Sequence, residues 1–470
     1  MTGINRHIIE KQFVELNLIN SANAFEIRNE LEYICKNELL PQIEKMFDKL
    51  IPENKILRLD NLEINAGTIA SDNWKNDLLE IVIREISVKI EELKTEERYS
   101  AEETNTFIRS ENNAQNIFFY FLENGTLPWH SGISSRAELN SLTGELMRTG
   151  DENFLNKMKD LLRDKSNSLN RLIHQTDENE LKRISGLLFN EEYQSRILSM
   201  LNSALVNLNI NYSQRKEILY RSWFEIHLGN YHGMTESELL LKTSLLISGS
   251  LHLEKGAEMK GSFINNLTDQ LKNKKYSEDI LKSIKEFPVK EIKISGSGKG
   301  LNTGYEFYIN NSGLILIHPF LLKLFENAGY AENNKWISKE LQQRAIALTQ
   351  YIVTGNEEYP EFLLMLNKVM CGYEIPESLP SDIELSEFEK NEADDLLNSV
   401  TGHWKALRNT SVNGLRETFL MRNGKLTEDN NGWLLQVEDK TVDILLNKIP
   451  WGVSMIKLPW MDKILRVEWN

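Results

Sequence analysis

The chain has 470 residues, 41% hydrophobic and 26% charged, a globular composition that supports sizeable cores and excludes an intrinsically disordered chain. Its 69 Asp and Glu against 54 Lys and Arg give a formal charge of −15, which argues against nucleic acid or an anionic membrane as the main partner, since both need a cationic face. No stretch approaches the roughly 20 apolar residues of a membrane helix. The N-terminus has no signal-peptide core, and Cys35 and Cys371 show no Cys-x-x-Cys spacing. The reading is of two free buried thiols in a chain folded in the reducing cytoplasm.

In chain order, Val14, Leu16 and Leu18 alternate as a half-buried strand does. Ser21 is placed to cap a helix carrying Phe25, Leu31, Ile34 and Leu39, which Pro41 should end or kink. Leu57 and Leu59, then Leu62 and Ile64, predict a second strand whose alternation shifts at Asn61, as a bulge would shift it. After a turn at Ala66-Gly67-Thr68, Trp74, Leu78, Val82, Ile86 and Ile90 form the apolar stripe of a long helix. Residues 1–100 are therefore expected to be an α+β region.

Between Pro128 and Pro288 lie 159 residues without proline, where average usage of about 5% would give roughly eight. Proline costs about 3 kcal/mol inside a helix, so this stretch permits continuous helix. Leu155, Met158, Leu161 and Leu162, then Leu188, Tyr193, Ile197, Met200 and Leu201, recur at helical spacing. Nine glycines from Gly132 to Gly261 interrupt the pattern, so residues 101–287 read as several helices joined by short turns rather than as one rod.

From 288 onward the composition changes, and six of the nine tryptophans fall after residue 330. Helices are predicted over 314–328, 336–353, 360–371, 385–407 and 412–422. Beyond Gly424 the period becomes two, through Trp433, Leu435 and Val437, then Val442, Ile444 and Leu446, then Leu465, Val467 and Trp469. The fold class expected is mixed and mainly α, with α+β ends: an N-terminal α+β region, a helical middle, and C-terminal helices followed by a small antiparallel sheet over 288–470.

Candidate chemistry is weak throughout. Gly296-Ser297-Gly298-Lys299-Gly300 lacks the Gly-x4-Gly-Lys-Ser/Thr of a phosphate loop and reads as a surface loop. His227 and His232 do not share a helical face, and with His252 they make a poor metal set. Glu389, Glu392, Asp394 and Asp395 read as the solvated face of an acidic helix rather than as an acid–base pair. No catalytic residue, metal or cofactor is assigned. The tryptophans read first as core and second as a partner-docking surface.

One stretch is more specific. Asn311-Ser312-Gly313-Leu314-Ile315-Leu316-Ile317-His318-Pro319-Phe320-Leu321 resembles a segment of the contractile injection system tape measure family. The likeness continues through Gln343-Arg344-Ala345, Tyr351–Gly355, Asn367, Lys368 and Gly372, then His403-Trp404 and the run Thr410–Leu426 with Arg416, Phe419 and Arg422. It closes at Asp443-Ile444-Leu445-Leu446, Ile449-Pro450-Trp451, Leu458-Pro459-Trp460-Met461 and Val467-Glu468-Trp469. It is strong over 311–470, moderate over 1–130 and weak between.

The resemblance implies a non-enzymatic component of a phage-tail-like particle that sets the length of its inner tube. A second reading, carried by composition, is an assembly factor or cargo-loading chaperone; a carbohydrate-active enzyme using the tryptophans is a distant third. Implied partners are tube, baseplate or cap proteins and other copies of the chain, with no nucleic acid and no membrane insertion. The location implied is the cytoplasm during assembly, or the interior of the finished particle. The motif positions Asn311, Gly313, Pro319, Asn367, Lys368, Gly372, Trp404, Arg416, Phe419, Arg422, Trp451, Trp460 and Trp469 are the residues expected to carry the role.

Overall fold

A computed structural model describes residues 7, 9, 12–18, 23–51, 55–59, 61–69, 73–99, 107–190, 192–229, 233–272, 304–408 and 410–469. It is mainly helical with a small sheet near the C-terminus. The chain divides into two compact units: residues 1–117 with 129–132, and residues 118–128 with 133–470.

In the first unit, helix α1 (Ala24–Ile34) passes through a π-turn (Cys35–Leu39) into α2 (Leu40–Leu50). Pro41 therefore neither ends nor sharply breaks the helix. The π-turn sits immediately before it, and the Leu40 N–H reaches back to the Cys35 carbonyl. The ring has no N–H to give the preceding turn, and the π-turn, by shifting the hydrogen-bond register there, lets the helix run on past it. A two-stranded pair, β1 (Lys55–Leu57) and β2 (Phe107–Arg109), flanks α3 (Trp74–Tyr99). Ile34, Leu39, Ile43 and Met46 pack with Leu79, Ile86 and Ile90 of α3 to make the core.

Three expectations fail in this unit. Val14, Leu16 and Leu18 form no strand and are 52%, 45% and 37% exposed, because no described strand lies beside them to complete their hydrogen bonds. The second strand is the short β1, and residues 61–69 are irregular, with no bulge at Asn61. Cys35 is free but only partly buried, while Cys371 is free and fully buried. Ser21 lies outside the described residues.

The second unit opens with helices joined by short loops: α4 (Ser110–Asn124, entering this unit at Phe118), α5 (Arg136–Thr149), α6 (Glu152–Asp164), α7 (Ser166–Gln175) and α8 (Glu178–Phe189). Four more follow: α9 (Gln194–Val206), α10 (Tyr212–Leu228), α11 (Glu236–Lys255) and α12 (Ala257–Lys272). The starts are written in the sequence: Ser135, Asp151, Asp177, Asn211 and Thr235 each accept a backbone N–H of the first turn. Helix α10 is buried along most of its length, with Tyr220, Trp223 and Phe224 inaccessible to solvent.

Beyond residue 303, β3 (Glu306–Ile309) and a 3₁₀ segment (Ser312–Ile317) lead into α13 (His318–Asn327). The hairpin β4 (Ala331–Glu332) and β5 (Lys335–Trp336) turns through Asn333 and Asn334, both in the left-handed region that a tight hairpin needs. Helices α14 (Lys339–Thr354), α15 (Met365–Met370), α16 (Glu387–His403) and α17 (Val412–Leu415, extended by a π-turn over Arg416–Leu420) follow. The closing strands are β6 (Gly424–Asp429), β7 (Gly432–Val437), β8 (Met455–Ile456) and β9 (Leu465–Glu468).

The sheet order is β3-β6-β7-β9-β8, so β9 lies between β7 and β8. It runs parallel to β7, with Trp433 opposite Leu465 and Leu435 opposite Val467, which makes the sheet mixed rather than antiparallel. The alternation at Val442, Ile444 and Leu446 is not a strand. Residues Thr441–Lys448 form a 3₁₀ segment because the Asp443 carboxylate turns inward, accepting the Lys440 N–H and Arg422.

Candidate functional site

The motif positions converge on the interior of the second unit, where polar side chains cross-brace its helices. Asn311, at the entry to the 3₁₀ segment, donates to Asn367 at 2.7 Å, Gln350 at 3.0 Å and the Leu363 carbonyl at 3.3 Å. Asn367 in turn donates to Thr349 at 3.0 Å. One buried amide thus ties the strand–helix junction to α14 and α15. Gly313 is packed so that a side chain there would meet the Phe419 backbone, and Gly372, at φ 63°, sits against the Trp460 carbonyl. Pro319 occupies the first turn of α13, where no N–H is needed.

A buried ion triad joins the middle helices to this region. Glu361 receives Arg171 from α7 through Nε at 3.1 Å and Nη2 at 3.3 Å, and Lys368 from α15 at 2.7 Å. All three side chains are inaccessible to solvent. Their remaining donors are used on carbonyls: Arg171 donates to Leu122 and Pro376, and Lys368 donates to Ile375 and Glu377. Burial pushes Lys368 down to about 8 against the attraction of Glu361. Burial would raise Glu361, but the two cations outweigh it and hold the carboxyl below its ordinary value. Gly125, at φ 73°, leaves room for the triad, since a Cβ there would come 2.6 Å from Glu361 Oε1.

A second pair closes the C-terminal sheet. Arg422, fully buried, grips Asp443 through both terminal nitrogens, and Trp469 donates its indole N–H to Asp443 at 3.0 Å. The Arg422 guanidinium lies 5.5 Å from the Trp469 ring. Arg416 ties the Ile352 carbonyl to Asp394, at 3.0 and 2.8 Å. Three other tryptophans are anchored through their indole N–H groups. Trp404 donates to Leu445 and packs on Phe419, Trp451 donates to Leu316, and Trp460 donates to Met370 and packs on Trp336. Trp404 and Trp433 are buried, and Trp336, Trp451, Trp460 and Trp469 pack half-buried on the core.

Of the four acids expected on a solvated face of the acidic helix, Glu389 is the exception. Glu389 is buried, caps its own helix through Ser386, and receives Arg344 and Tyr330. Desolvation would raise its pKa, but hydrogen bonds from Arg344, Tyr330 and Ser386 hold it down at about 2. Asp394 pairs with Arg416 and Glu392 accepts from Asn327, whereas Asp395 is exposed. His227 is packed between Phe189, at 4.8 Å, and Trp223, at 4.3 Å, while its Nδ1 bonds the Trp223 carbonyl. His232 and residues 296–300 lie outside the described residues.

Sequence reading placed Asp443 in a family-like run without a role, and missed Arg171 and Glu361. Ser168, Arg171 and Gln175 lie on one line of α7 and are all buried, but Ser166, Asn167, Asn170 and His174 make the rest of the helix polar too, so its pattern carried no signal that singled out Arg171.

A protein-family model described as contractile injection system tape measure protein matches residues 6–469. The chain belongs to this family. Searches of curated proteins and of solved structures returned no match. A tape measure protein is a structural component of a contractile injection system, and the interior just described accounts for how this member holds its shape. Among the described residues, no helix of this tape measure protein is long and apolar enough to cross a membrane.

Proposed function

We propose that this tape measure protein acts in its particle as a folded, multi-helix body that docks tube, baseplate or cap proteins, rather than as one extended rod. The buried Arg171–Glu361–Lys368 triad carries the reading, because it fixes α7 to α15 across 190 residues of sequence. A single helix of 159 residues would span about 240 Å, whereas the longest helix between α4 and α12 has 20 residues and spans about 30 Å. Length would then be set by contacts of the folded body and by how many copies assemble. The protein is expected in the cytoplasm during assembly, then inside the particle, with no catalytic role.

The test is a covalent staple. Gln214 of α10 donates to Glu340 of α14 at 2.9 Å, so Gln214→Cys with Glu340→Cys puts two thiols within reach of a short, reducible bifunctional crosslinker that locks middle helices to the C-terminal region. The crosslinked protein should support particles of normal tube length. Assembly blocked by crosslinking and restored by reduction would show that the unit must unfurl, as an extended ruler requires. The same compactness also suits an assembly factor that leaves before maturation. Mass spectrometry of purified particles separates the two, since a resident component is retained at defined copy number and a transient factor is absent.

A further inference from the structure

The second unit holds two apolar cores. Among the described residues, the C-terminal core draws every member and every flanking apolar side chain from residues 305–469. The helical core is built elsewhere: α10 packs against α6, α7, α8, α9 and α11, and Leu172, Ile173, Leu219 and Trp223 are buried there. A polar seam joins the two, centred on a strap of residues 375–381 that is neither helix nor strand. Ile375 and Leu379 of the strap are buried in the C-terminal core, and from that side Lys368 and Tyr373 donate to the Ile375, Glu377 and Ser378 carbonyls. The helices grip the strap from the other side. Arg171 donates to the Pro376 carbonyl and Gln175 to the Leu379 carbonyl, both at 2.7 Å. His174 bonds the Ser378 hydroxyl at 2.9 Å, and its own carbonyl accepts the Ser381 hydroxyl at 2.7 Å. Arg136 of α5 donates to the Ser381 hydroxyl at 2.8 Å and the Ser381 carbonyl at 3.3 Å. An aromatic contact, Phe121 edge-on to Phe362 at 6.4 Å, lies at the same boundary.

Opening an apolar core puts hydrocarbon into water, whereas opening this seam puts hydrogen-bonding groups there, and water replaces most of what they lose. The ion triad divides in the same sense. Lys368 stays with Glu361 on the C-terminal side, so the carboxylate is not stranded, and Arg171 passes into water on the helical side. Polar boundaries between separate cores are where parts of a chain move against one another. We infer that the second unit is two bodies, the helices up to α12 and residues 304–469, and that the strap is a clasp between them. Its bonds to α5 and α7 release together, while Ile375 and Leu379 keep it on the C-terminal core. The clasp rests on the folded-body reading and adds a joint to it. The clasped state is the one that reading requires; the open state bares the polar faces of α5 and α7 without unfolding either core.

Native-state hydrogen exchange on the full chain, in urea below the global transition, tests the clasp. The Glu361 and Ser381 N–H groups bond across the seam, to the Gln175 side chain and the His174 carbonyl. Peptides carrying them should exchange together and before α10 and β7. Arg136→Ala with Gln175→Ala should speed exchange in those peptides about tenfold and leave α10 and β7 unchanged. Spin labels on Val206→Cys of α9 and Met455→Cys of β8, 50% and 67% exposed in the native chain, read the shape in a Cys35→Ser background. The Arg136→Ala, Gln175→Ala variant should show a second, longer distance between them. Exchange that rises together in the strap, α10 and β7, or a single unchanged distance in that variant, would overturn the clasp. If the variant does not fold, the order of exchange in the wild-type chain decides alone. Particle assembly is not the readout, so the clasp and the folded-body reading fail separately.

Discussion

Gly313 and Phe419 touch through their backbones: a Cβ on Gly313 would come to 1.8 Å from the Phe419 carbonyl oxygen and 2.5 Å from the Leu420 Cα. Neither neighbour is a flexible side-chain end, so nothing local can yield. The contact brings the 3₁₀ segment after β3 against the π-turn before β6, and the Ser312 N–H to Arg422 carbonyl bond, at 2.9 Å, sits beside it.

Gly313→Ala should therefore cost about 3 kcal/mol or more, at the upper end for overpacking, and yield insoluble or low-melting protein. Gly144→Ala and Gly402→Ala are the controls. Both glycines lie in helices with open space around the Cβ position, and alanine there should be neutral or stabilising by up to about 1 kcal/mol. Thermal melts of the three variants check the ordering, and an unchanged melting temperature for Gly313→Ala would refute it.

The ion triad predicts an asymmetry. Glu361→Gln leaves two buried cations with no carboxylate, whereas Lys368→Met leaves Arg171 and Glu361 as a balanced pair. Removing one partner of a buried ion pair costs about 3–5 kcal/mol. Glu361→Gln should reach or exceed that range and Lys368→Met should fall below it. Urea denaturation of the two variants is the measurement, and equal losses would mean that the charges do not act as a unit.

Much of this architecture was readable and some of it was not, for physical reasons. Helix α14 carries its own start and stop in Ser338, which accepts the Leu341 N–H, and Gly355 at φ 71°. Local rules suffice for such an element. The triad pairs residues 190 apart, and no local spacing encodes that. The alternation through Val442, Ile444 and Leu446 misled because a 3₁₀ segment set by the Asp443 carboxylate can mimic period two over five residues. The parallel direction of β9 depends on a crossover through β8, which a strand's own pattern does not report. The tryptophans were legible as core material, while the carbonyls that Trp404, Trp451 and Trp460 satisfy were not.

Glu389 predicts an acid limb. Its carboxyl titrates at about 2 in the folded protein against an ordinary 4.5, since the hydrogen bonds from Arg344, Tyr330 and Ser386 outweigh its desolvation. The folded state thus binds this proton less readily than the unfolded chain. The stabilisation is present above about 4.5 and is lost as pH falls towards about 2. The stability gap between the wild-type chain and Glu389→Gln should shrink over that window. A gap constant from pH 6 to pH 2 would show that the carboxylate contributes no pH-dependent stability.

The last strand predicts that the C-terminal sheet is an integral part of its unit and not a detachable tail. Strand β9 is hydrogen-bonded on both sides, parallel to β7 and antiparallel to β8. Leu465 is fully buried and Val467 nearly so, and Trp469 just beyond supplies a hydrogen bond to Asp443, the partner of buried Arg422. Removing residues 465–470 exposes the edge of β7, which carries Trp433 and Leu435, and takes one of four N–H donors from the Asp443 carboxylate. Burying a large apolar side chain is worth about 1.5–3 kcal/mol, and total stability is about 5–15 kcal/mol, so two such losses plus an opened strand edge consume much of it. The truncated chain should be insoluble or strongly destabilised, and Trp404→Ala, which empties a fully buried site, should cost about 3–5 kcal/mol. Trp451→Ala should cost less, because that ring is only half-buried and loses one bond to the Leu316 carbonyl. A truncated protein that stays soluble with an unchanged melt but no longer joins particles would reassign the strand and its tryptophans to partner docking.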